Sequence, residues 1–157
     1  LWGIFFQDLK DRMVWAWLFI VFMLAGGLLH FYSVETTSFL INIGINVIIV
    51  TGILAILKIY VTYKMGVESL QNTFGMGDIF CLFALALSFS TVTFVILLVF
   101  GFIFSLLIHN ARVFLLSRKR PLPHNETTVP LAGYLSLFFS GIYITHWIGL
   151  YDDLYVL

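Results

Sequence analysis

The sequence predicts an all-α fold, a polytopic integral membrane bundle of about six transmembrane helices forming a single domain over residues 1–157. Three observations lead there. Hydrophobic residues make up 61% of the chain and charged residues 10%, against about a quarter charged in an ordinary soluble domain. The apolar residues fall in long runs parted by short polar breaks, and a span needs roughly 20 of them. Threaded through a bilayer, those runs leave all eight basic residues on or near one side, as the positive-inside rule prefers. This composition excludes a disordered chain, a nucleic-acid binder and a soluble globule. The formal net charge is zero, so no bulk field draws the protein to an acidic or basic partner.

The first apolar stretch covers residues 1–7 and stops at Asp8. A helix that short reaches about 10 Å, a third of a bilayer core. It reads as the end of a first helix truncated in this chain, which starts with Leu1 rather than Met. It does not read as a signal peptide, because its charges follow the apolar run. A second span covers 14–32, a polar turn 33–37, a third span 38–60 and a polar loop 62–77. The stretch 79–108 would be about 45 Å long as one helix, too long for a span without strong tilt. Ser88, Ser90, Thr91 and Thr93 cluster in its middle. They mark either a turn between two spans or polar packing within one helix. Charge arbitrates. With two spans, the basic loop 109–129 joins Lys10, Arg12, Lys58 and Lys64 on the cytoplasmic side. With one span, Arg112, Arg118, Lys119 and Arg120 fall outside, against the rule. The expected spans are therefore 78–89 and 92–108, followed by a last span at 130–150 and an external tail with Asp152 and Asp153.

Asp8 and Asp78 each stand where an apolar helix meets a cytoplasmic loop. Two spans separate them, so they share one membrane face. Carboxylates brought close cannot both ionise easily and share a proton. One then acts as base on a water while the other donates a proton to a scissile carbonyl. The alternative is two unrelated boundary charges, an ordinary place for Asp. In Gly75-Met76-Gly77-Asp78 the glycines allow unusual dihedrals and close approach of a substrate chain. The same pattern also serves as a loop and helix cap. Arg12, one helical turn past Asp8, either tunes that carboxyl, binds a leader, or anchors the chain at the interface. Asn42 and Asn46 share a helix face and suit interhelical hydrogen bonds. His30 and His146 fall near the external face without a further ligand, so no metal is expected. The single cysteine, Cys81, supports neither a disulfide nor a zinc ribbon and reads as a small buried hydrophobe.

Gly75-Met76-Gly77-Asp78 resembles the motif that names the GxGD intramembrane aspartyl proteases. Asp8-Leu9-Lys10-Asp11-Arg12-Met13-Val14 is similar to the first-aspartate segment of the prepilin and preflagellin peptidase branch. Val129-Pro130-Leu131-Ala132-Gly133-Tyr134-Leu135 resembles that branch's proline-containing entry to its last helix. The resemblance implies catalytic roles for Asp8 and Asp78, with Gly75, Gly77, Arg12 and Pro130 binding substrate or shaping the site. It implies an aspartic-type endopeptidase without metal or organic cofactor, in a prokaryotic inner membrane, its site facing the cytoplasm. The implied partners are the lipid bilayer and a protein substrate, prepilin-like or a pseudopilin, whose leader precedes an apolar helix. Members that also N-methylate their product carry two Cys-x-x-Cys pairs. This chain has neither and resembles a peptidase-only member. Two other readings stay open. One is a presenilin- or signal-peptide-peptidase-like protease, whose aspartates lie on consecutive helices. The other is a small transporter or assembly factor using the carboxylates for protons or cations.

The placement of the basic residues on one side puts residue 125 in the cytoplasm. A cysteine replacing Asn125 should resist an impermeant thiol reagent in intact cells and react after lysis. Labelling in intact cells would overturn the cytoplasmic assignment of the 109–129 loop.

Overall fold

A computed structural model describes residues 1–11, 14–65, 75–117, 130–149 and 154–155. Among them run six α-helices: α1 (Trp2–Asp11), α2 (Ala16–Ser33), α3 (Thr36–Met65), α4 (Met76–Ser88), α5 (Thr91–Ser117) and α6 (Leu131–Trp147). The segments Ala16–Ser33, Thr36–Lys64 and Thr91–Leu115 are long and apolar enough to cross a membrane. α4 is apolar but shorter. Large apolar side chains point outward along the long helices: Leu24 is 61% exposed, Ile48 72% and Leu107 64%. In water such continuous apolar surface would drive association; in a bilayer it is the ordinary lipid-facing side. Helices suit that solvent, because every backbone polar group must be satisfied internally there. The fold is that of an integral membrane protein.

The stretch 79–108 is broken where its hydroxyl residues cluster. α4 ends at Ser88, Phe89 is extended (φ −139°, ψ 156°), and α5 starts at Thr91. Ser90 opens α5: its carbonyl accepts from the Phe94 amide at 2.8 Å and its hydroxyl donates to Thr93 Oγ1 at 3.1 Å. Thr91 Oγ1 donates to Asn42 Oδ1 on α3 at 3.1 Å. The hydroxyls therefore build a turn and a helix start, not a polar patch within one long helix.

Several helix ends differ from the expectation. α1 continues past Asp8 to Asp11. The turn between α2 and α3 shrinks to Val34 and Glu35, with the Phe39 amide bonded to the Glu35 carbonyl at 2.9 Å. α3 runs to Met65, into the expected polar loop. Its polar residues are satisfied within the helix: Thr62 Oγ1 donates to the Lys58 carbonyl at 2.8 Å and Lys64 Nζ to Tyr60 OH at 2.9 Å. α5 likewise carries His109, Asn110 and Arg112 within its last turns.

α4 is the central element and touches α2, α3, α5 and α6. Its Ala84, Leu85 and Ala86 are fully buried. α2 runs parallel to it, with Phe19 beside Gly77 at one end and Gly26 beside Ser88 at the other. A Cβ on Gly26 would collide with Ser88 Oγ, so the glycine is what lets the two backbones close, as small residues do between membrane helices. The Ser88 end is pinned by polar bonds. His30 Nδ1 donates to the Leu87 carbonyl at 3.1 Å. Asn46 Nδ2 donates to the Ala86 and Phe89 carbonyls, both at 2.9 Å. Carbonyls in a helix's last turn have no intrahelical donor, and Asn46 supplies one from α3. Around them Phe89 packs on the rings of Phe139, Tyr143 and Tyr155.

Asn46 is therefore a structural residue. Asn46→Leu leaves two buried carbonyls without their donor and should cost about 1–3 kcal/mol. Unfolding in detergent would show this as a lowered midpoint. Ile48→Ala, on the exposed side of the same helix, should stay within about 0.5 kcal/mol.

Candidate active site

Asp8 lies in the last turn of α1 and Asp78 in the first turn of α4. Both reach the start of α6. Pro130 occupies its N-cap position (φ −76°, ψ 80°) and is buried. Proline fixes φ and carries no N–H, which suits a helix entry. The Tyr134 amide is the first to close back on the helix, donating to the Pro130 carbonyl at 3.1 Å. The amides before it need acceptors from outside. The Ala132 amide donates to Asp78 Oδ1 at 2.8 Å. The Gly133 amide donates to Asp8 Oδ2 at 2.6 Å. Adjacent backbone nitrogens are roughly 3 Å apart, so the two accepted oxygens lie within roughly 8 Å of each other. The helix dipole adds a positive end beneath both carboxylates.

Cys81, one turn along α4 from Asp78, is buried. The two carboxylates are not equivalent. Asp8 is only 9% exposed, whereas Asp78 is half-buried, with Gly75 and Met76 exposed beside it. The arrangement holds two carboxylates on backbone donors at one end of the bundle, Asp78 being the more exposed of the two. Such a pair can orient a water and pass protons to and from it.

Other expected site residues fare differently. Pro130 is part of the site through the helix it starts. Gly75 caps α4, its carbonyl accepting from the Asp78 amide at 3.0 Å. Its dihedrals (φ −68°, ψ 132°) are open to any residue, so the expected unusual backbone is not found there. A Cβ on Gly75 would sit 3.4 Å from Asp78 Oδ2, and one on Gly77 3.5 Å from Phe19 Cζ. Both are ordinary contacts, so neither glycine is demanded by crowding within this chain. Arg12 lies outside the described residues. His30 and His146 both pack against the Tyr155 ring, at 6.3 and 5.6 Å between centroids. Among the described residues, no three His, Cys, Asp or Glu side chains gather as a metal cage.

The Ala132 and Gly133 amides were not anticipated as part of the site. A search for reactive side chains does not see backbone donors. The available signal was Pro130 itself, which marks a helix start and hence a set of unsatisfied N–H groups just after it. No protein family, curated protein or solved structure matches this chain.

Proposed function

We propose that this protein is a membrane aspartic-type endopeptidase. It cleaves the leader of a prepilin-like or pseudopilin substrate at the membrane boundary, just ahead of the substrate's apolar helix. One observation carries the reading: carboxylates from two helices distant in sequence are held on adjacent amides at the start of a third. A water between Asp8 and Asp78 is the nucleophile. One carboxylate takes its proton while the other, protonated, donates to the scissile carbonyl. No covalent intermediate forms. The substrate enters from the Asp78 side, beside the exposed residues Gly75 and Met76. The membrane is the prokaryotic inner one, with this end of the bundle at the cytoplasmic face.

The test is cleavage of a prepilin-like precursor by purified variants. Asp8→Asn and Asp78→Asn keep the side-chain shape but remove the exchangeable proton. Each should lower cleavage by about 10²–10⁴-fold or more. The double variant should be no worse than either single, because groups acting as one unit are not additive. Asp11→Asn should matter far less. Substantial activity in either single variant would reject the mechanism and favour proton or cation binding instead.

A further inference from the structure

We infer that Gly133 is a positioning residue, whose backbone N–H orients the Asp8 carboxylate and whose missing side chain lets that carboxylate reach it. The catalytic part of this rests on the peptidase reading; the orientation does not. Glycine inside a helix costs about 1 kcal/mol relative to alanine, so its presence in the first turn of α6 needs a cause. The cause is not the backbone, since positive φ among the described glycines occurs only at Gly149. Space is the cause. A Cβ on Gly133 would lie 2.9 Å from Asp8 Oδ2, 3.1 Å from Asp8 Cβ and 3.5 Å from Asp8 Cγ. Swinging the carboxylate aside would relieve the first contact but not the second, because Asp8 Cβ is fixed to the α1 backbone. A Cβ at 133 therefore requires the carboxylate oxygen to leave its place and Asp8 Cβ to give by a few tenths of an ångström, which disturbs the bond from the 133 amide.

The neighbouring donor is built differently. Ala132 carries a Cβ and its amide still reaches Asp78 at 2.8 Å. Asp78 is also half-buried, whereas Asp8 is buried with a shorter bond of 2.6 Å. Asp8 is thus the more enclosed of the two, lying where α1 packs on α6 at one glycine, and Asp78 the more exposed.

Two variants test this in lipid nanodiscs. Gly133→Ala adds the Cβ. An amide-to-ester exchange at residue 133, made by cell-free translation with glycolic acid on a suppressor tRNA, removes the N–H and adds no bulk. Gly141→Ala, on the same helix with nothing within 4 Å of its added Cβ, is the control. The first readout is the infrared carboxylate band of Asp8, assigned by its loss in Asp8→Asn. The second is kcat and KM for precursor cleavage. We expect the ester and Gly133→Ala to shift the Asp8 band and the control to leave it in place. The ester should lower kcat about 10-fold to 100-fold, the worth of one hydrogen bond to a charged group, with KM little changed. An unshifted Asp8 band in the ester overturns the orienting role, whether or not the protein cleaves anything. A shifted band with unchanged kcat overturns the positioning role in catalysis. A wild-type protein that cleaves no precursor sinks the peptidase reading, while the band still decides what Gly133 does to Asp8.

Discussion

The first turn of α6 cannot be left without acceptors. A helix entering a packed, apolar bundle has N–H groups with no partner of their own, and lipid offers none. Ala132 and Gly133 resolve this with carboxylate oxygens from Asp78 and Asp8. The dependence runs both ways. A carboxylate in a bundle wall is costly unless something stabilises it, and amides at the positive end of a helix are well suited to that. α6 contacts both α1 and α4 and joins them through two hydrogen bonds. Pairing of Asp8 with Asp78 is thus a by-product of satisfying one helix start.

Convergence at one end requires that α4 be held at a defined depth, and the other end of the bundle does this. Gly26 brings α2 against Ser88. His30 and Asn46 tie the Leu87, Ala86 and Phe89 carbonyls to α2 and α3. Because α4 is only 13 residues long, about 20 Å, anchoring its last turn leaves little play in its first. α3 contributes through Asn42, Asn46, Val50 and the buried Val61, while much of its remaining surface faces outward, with Ile56 69% and Tyr63 94% exposed. Side chains far from Asp78 therefore matter to it through the rigidity of a short helix.

Much of this was legible in the sequence, and the reasons are specific. The break near residue 89 was readable because the basic residues after 108 favoured dividing the stretch 79–108 and four hydroxyl residues stood where a turn was needed. That Asp8 and Asp78 share a level followed from counting helices between them. Helix ends were less legible. Thr62 and Lys64 look like loop residues, yet each finds a partner four residues back, so α3 continues through them. The role of Gly133 was hidden for another reason: it depends on a contact with a residue 125 positions away, which local pattern does not report. Gly75 misled in the opposite sense, since a glycine beside an aspartate suggests special backbone where ordinary dihedrals are found.

Burial divides the labour between the carboxylates on the proposed reading. Asp8 is enclosed by α1, α6 and the absent side chain of Gly133. Asp78 stands at the open rim, beside exposed Gly75 and Met76. On that reading Asp78 is the carboxylate nearer an incoming substrate and Asp8 the more enclosed one. Catalytic geometry is won by fixing one partner before the reaction rather than by ordering both during it. A short amide bond and a glycine with no room for a methyl provide that fixation. An apolar substrate helix lying against the bundle would then need only to bring its leader over the rim.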